Sequence, residues 1–92
     1  MVGTPYYLSP EIIEGRPYSF KSDVWSIGVM LYEMCTLRPP FEGFNMHSLA
    51  MNIVRGKFRP LPSHFSKELR DLVDQMLSID ARRRPSINQI LR

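Results

Sequence analysis

Ninety-two residues, 43% of them hydrophobic and 23% charged, are enough for one small globular domain and exclude an intrinsically disordered tail. A chain of this length buries only about 60 to 65% of its unfolded surface, so a core made by it alone is marginal. The net charge of +3 is uneven: residues 1–54 carry 3 basic and 5 acidic side chains, residues 55–92 carry 9 basic and 4 acidic.

In chain order, Ser9-Pro10-Glu11-Ile12-Ile13-Glu14 reads as a short helix, with Ser9 as its cap, Pro10 in the first position and Gly15-Arg16-Pro17 as its stop. Ser22 is expected to cap a second helix that starts at Asp23 and ends near Leu37, before Arg38-Pro39-Pro40. Ten of the 14 residues from Val24 to Leu37 are apolar and they circle the whole helix, so it needs cover on every side. A third helix is expected over 45–55, where Met46, Leu49, Ala50, Ile53 and Val54 recur at helical spacing and Gly56 follows as a stop. A fourth runs from about Ser66 to Leu77, with Leu69, Leu72, Val73, Met76 and Leu77 on one face and an Arg70–Asp74 pair on the other. Ser86 with Gln89 makes a capping box for a last helix. No strand-like alternation and no internal repeat is present, and the expected class is all-α. Two amphipathic helices and a stub are too little to cover the second helix, so a packing layer is expected to be missing.

The single Cys35 lies in an apolar stretch and reads as a core residue, and His47 and His64 have no metal-ligand spacing. Arg82-Arg83-Arg84 has no interleaved aromatic residue, so it reads as a solvated or ion-paired cluster rather than a nucleic-acid surface. The longest apolar stretch, Val24 to Leu37, is too short for a bilayer and contains Glu33, and no basic-then-apolar leader opens the chain. The expectation is a cytoplasmic protein with neither a membrane nor a nucleic-acid partner.

Three ordered motifs span nearly the whole chain. Gly3-Thr4-Pro5-Tyr6-Tyr7-Leu8-Ser9-Pro10-Glu11 resembles the end of the activation segment of a eukaryotic Ser/Thr protein kinase, with Ser9 where Ala is usual. Asp23-Val24-Trp25-Ser26-Ile27-Gly28 resembles the start of the large central helix of the kinase C-lobe. Asp80-Ala81-Arg82-Arg83-Arg84-Pro85-Ser86 resembles that family's late Asp-Pro-x-x-Arg-Pro-Ser segment, with Ala81 in place of Pro. The wording of residues 2–11, 21–28 and 31–37 is most similar to NIMA-related kinases. The resemblance implies that residues 1–92 are part of a kinase C-lobe from the end of the activation segment onward, with the N-lobe and catalytic loop upstream of this stretch.

Phosphoryl transfer needs a glycine-rich phosphate cover, a Lys on the phosphates, an Asp on magnesium and an Asp that orients the hydroxyl. The glycines at 3, 15, 28, 43 and 56 make no Gly-x-Gly, and the sequence holds no His-Arg-Asp, Asp-Phe-Gly or phosphate loop. ATP and magnesium are therefore expected in the intact kinase and not on these 92 residues alone, which are expected to be inactive.

What the resemblance implies residue by residue is mostly substrate-side. Thr4 matches a Thr that bonds to the catalytic Asp, a supporting role whose partner lies outside this sequence. Pro5 and Leu8 match positions lining the pocket for the substrate residue after the phosphorylated one, and Tyr7 matches a residue bracing it. Glu11 and Arg84 match a buried ion pair, Asp23 matches a residue that accepts hydrogen bonds from the catalytic-loop backbone, and Trp25 matches one packing near Pro10. Protein substrates and the rest of the kinase domain are the implied partners, and cytoskeletal association is implied by the family. The alternative reading is a truncated or degenerate kinase that acts as a protein-binding module.

Overall fold

The computed structural model describes residues 6–91, and among these every regular element is helical. The order is α1 (Pro10–Ile13), α2 (Phe20–Thr36), α3 (Met46–Arg55), α4 (Lys67–Met76), a 3-10 turn over Ala81–Arg83, and α5 (Ile87–Ile90). This is the all-α arrangement that the periodicity predicts.

The helix ends follow local chemistry, with two departures from expectation. Asn45 caps α3 and Ser66 caps α4, each accepting a backbone N–H three residues on, and Ser86 with Gln89 closes a capping box on α5. Gly56 ends α3 with φ of 69°, a left-handed position that favours glycine. Ser22, however, is not the cap of α2. The helix starts three residues earlier, where Ser19 Oγ accepts from the Lys21 N–H at 3.2 Å and Ser22 Oγ accepts from the Ser19 N–H at 3.3 Å. The run Ser19-Phe20-Lys21-Ser22 offers two serines at capping-box spacing, and tertiary packing selects the first. Ser9 occupies the cap position of α1 without making a side-chain cap bond, so Pro10 and the acidic Glu11 carry that helix start instead.

Helix α2 is the hub, packing along α4 and against the 3-10 turn. Its inward face supplies Trp25, Val29 and Tyr32 to a core completed by Phe41, Leu49, Ile53, Leu61, Val73 and Leu77. An aromatic chain runs through this core: Trp25 stacks on Phe41 at 5.5 Å, and Phe58 meets both Phe41 and Tyr32 edge-on at 5.8 Å. Gly28 is where α4 comes closest, since a Cβ there would lie 2.9 Å from Met76 Cβ and 3.2 Å from Leu77 Cδ2. Cys35 is only half-buried at the margin of this core.

The outward face of α2 is left exposed by the described residues. Ile27, Met30, Met34 and Leu37 follow one stripe of the helix, and Met34 and Leu37 are 74% and 89% exposed. An apolar stripe left open on α2 agrees with the apolar residues that circle it in the sequence. On α4 the expected Arg70–Asp74 pair is replaced by Lys67–Asp71 at 2.8 Å, because Arg70 turns back to donate to the Phe65 carbonyl at 3.2 Å. Among the described residues no helix is long and apolar enough to cross a membrane.

Candidate functional site

Two groups of residues flank α2, one sealed inside the fold and one facing out. The sealed group is built on Glu11 of α1 and Arg84, which follows the 3-10 turn. Arg84 is 1% and Glu11 8% exposed. Their contact is a fork: Arg84 Nη1 donates to Glu11 Oε2 at 2.7 Å and Nη2 to Oε1 at 2.9 Å. The other guanidinium hydrogens reach the carbonyls of Lys21 at 2.9 Å, Ser78 at 2.9 Å and Ile79 at 3.3 Å. All five N–H donors of the guanidinium are thereby used. Ser22 Oγ donates to Glu11 Oε2 at 2.7 Å, and Lys21 Nζ donates to the Arg84 carbonyl.

The electrostatics follow from that geometry. Burial alone would push the Glu11 carboxyl up, but the hydrogen bonds from Arg84 and Ser22 outweigh it and hold the group at about 2. Beneath the pair, Trp25 lies fully buried with the Arg84 guanidinium 5.0 Å from its ring centre. Pro10, the neighbour implied for Trp25, is fully buried as well. The Trp25 indole N–H and Ser9 Oγ are buried without a hydrogen-bond partner. Arg82-Arg83-Arg84 thus separates into three fates: Arg84 is sealed, Arg82 forks onto its neighbour Asp80, and Arg83 is exposed.

The outward group joins the segment before α1 to the open side of α2. Tyr7 and Leu8 are both exposed. The Tyr7 carbonyl accepts from Ser26 Oγ at 2.7 Å, and hydrogen bonding to Glu33, reinforced by its charge, raises the Tyr7 phenol above its ordinary value. Asp23 is exposed in the first turn of α2, where its charge favours the helix dipole and its carboxylate accepts from the Tyr18 hydroxyl. Thr4 and Pro5 lie outside the described residues. The fold therefore brings Glu11 and Arg84 together across 73 positions, sets Trp25 against them, and leaves Tyr7, Leu8 and Asp23 on the surface.

Four further partners of the pair are not marked in the sequence. Ser22 reads only as a cap, yet it serves Glu11; Lys21 joins through its amine and its carbonyl, and Ser78 and Ile79 join through backbone carbonyls. Backbone carbonyls leave no mark in side-chain identity, and no spacing in the sequence links Ser22 to Glu11.

Among the described residues there is no group of three or more His, Cys, Asp or Glu able to hold a metal ion. The Asp23 carboxylate accepts from Tyr18, and Glu11 is committed to Arg84. What the arrangement can do is hold two distant chain segments rigidly and present an exposed surface beside them.

The protein kinase domain family model matches residues 1–92. The chain belongs to the protein kinase domain family. NIMA-related kinases are among its curated relatives. It is 50% identical to human serine/threonine-protein kinase Nek5 over 91 residues and 51% identical to mouse serine/threonine-protein kinase Nek1 over 90, covering 99% and 98% of this chain. It is also 47% identical over 90 residues to the probable serine/threonine-protein kinase nek2 of Dictyostelium discoideum, covering 98% of this chain. The matched stretch spans 13%, 8% and 22% of those three relatives. The pairing of Glu11 with Arg84 thus sits in a C-lobe of a protein kinase domain, with α2 as its central helix.

Proposed function

We propose that residues 1–92 supply the substrate-docking surface and C-lobe scaffold of a Ser/Thr protein kinase that transfers the γ-phosphate of ATP to protein hydroxyls. The observation that carries this reading is the buried fork between Glu11 and Arg84, which locks the Ser9-Pro10-Glu11 end of the activation segment to the Arg84-Pro85-Ser86 segment. A docking floor has to be stiff to fix substrate register at small entropic cost, and this fork stiffens its base. Tyr7 and Leu8, exposed just ahead of that base, are the residues assigned to the substrate. Pro5 completes their pocket and Thr4 supports a catalytic Asp of the parent. Asp23 is assigned to the backbone of the parent's catalytic loop, for which its exposed carboxylate is available.

ATP and magnesium are assigned to other parts of the parent kinase, since the glycine-rich cover, phosphate Lys and metal Asp are missing from this sequence. The parent is assigned to the cytoplasm with cytoskeletal association, on family likeness. The test is a phosphotransfer assay on the full-length protein with ATP, magnesium and a generic protein substrate, beside the 92-residue chain alone. Phosphoserine or phosphothreonine is expected with the first and none with the second. A full-length protein that neither binds ATP nor transfers phosphate would replace this reading with that of a protein-binding module.

A further inference from the structure

The chain after α2 and the chain after α3 enclose a groove of about 520 Å³. Arg38 enters it from the first segment, and Lys57 and Arg59 enter from the second. The three side chains are exposed, and among the described residues none of them forms an ion pair. Glu42 is the one acidic residue lining the groove, so three cationic groups meet a single carboxylate. The Tyr32 hydroxyl donates to the Arg59 carbonyl at 2.6 Å and pins the second segment to α2. The rim is thus fixed by the core, and the cationic side chains stay free to turn.

The floor narrows the kind of occupant. Pro39, Pro40, Pro60 and Pro62 line the groove and have no N–H, so an incoming chain cannot add itself as a strand on these residues. Recognition must then run through side chains on a stiff apolar base, which costs little ordering entropy. Stacked bases would need an open aromatic face. Tyr32 is buried and Phe58 is packed edge-on between Tyr32 and Phe41, so no such platform is offered.

We propose that this groove docks an acidic segment of a protein partner, in which carboxylates meet Arg38, Lys57 and Arg59 and intervening apolar side chains rest on the prolines. The surface is separate from Tyr7 and Leu8, and its occupancy requires no phosphoryl transfer. Complementary charge of this kind acts on partner choice and association rate as well as affinity.

Fluorescence anisotropy on the full-length protein, without nucleotide, tests the proposal with a labelled peptide of alternating Glu and Leu and its Lys-for-Glu counterpart. The acidic peptide is expected to bind and the basic one not to. Arg38→Glu with Arg59→Glu should weaken the acidic peptide by at least about tenfold, and Glu42→Lys should tighten it. The second variant decides the matter should the first fail to fold. The proposal is overturned if neither variant shifts the affinity, or if a single-stranded oligonucleotide of equal charge binds as tightly and is lost with the same substitutions. Because no ATP is present, either result is independent of whether the protein transfers phosphate.

Discussion

The two faces of α2 are opposites built on one helix. Toward the inside, Ser22, Trp25 and the Lys21 carbonyl surround a guanidinium whose every donor is used. Toward the outside, Ile27, Met30, Met34 and Leu37 form an apolar stripe that is exposed among the described residues. The first face is buried within the described residues, whereas the second carries exposed apolar side chains. The sealed ion-pair node and the exposed apolar stripe therefore share one helix, one on each side.

The largest way to break this contrast is Arg84→Ala, which leaves the Glu11 carboxylate buried and alone. A loss of about 3 to 5 kcal/mol is expected, read as a lower thermal midpoint of the full-length protein. Acid attacks the same pair from the other partner. The Glu11 carboxyl sits at about 2 in the fold against an ordinary value of 4.5, so its stabilisation is fully present above 4.5 and is lost as the pH falls toward 2. The loss across that window is about 3 kcal/mol, and Glu11→Gln should flatten this part of the stability–pH curve in chemical unfolding.

A medium effect is expected where α2 and α4 meet. Gly28→Val forces a side chain against Met76 and Leu77, which are themselves buried, and should cost about 1 to 3 kcal/mol in urea unfolding. The smallest effect on stability belongs to the open face. Met30→Gln with Met34→Gln in the 92-residue chain should change stability by less than about 0.5 kcal/mol per site. The same pair of changes should lower self-association in sedimentation, because the stripe is exposed apolar surface.

The sequence made these two faces unequally legible. Helices α3, α4 and α5 could be read almost to the residue because Asn45, Ser66, Ser86 and Gly56 sit at their ends. The pairing of Glu11 with Arg84 came only through likeness to a family, since 73 positions separate them and no periodicity links them. The start of α2 was misread because two serines compete for one cap, and the α4 ion pair because Arg70 has a carbonyl within reach. The open stripe was foreseen for a simple reason: a helix that is apolar all round needs more surface than two amphipathic neighbours offer. The stacking of Trp25 on Phe41 and the cationic groove could not be foreseen, as both depend on where loops return.

The central claim is that Glu11 and Arg84 act as one unit tying the activation-segment end to the last helix. A double-mutant cycle in the full-length protein with Glu11→Gln and Arg84→Met measures it directly. The account predicts a coupling energy of about 2 to 3 kcal/mol, with the double variant more stable than the sum of the single losses implies. Strictly additive losses would show that the two side chains do not depend on one another and would contradict it.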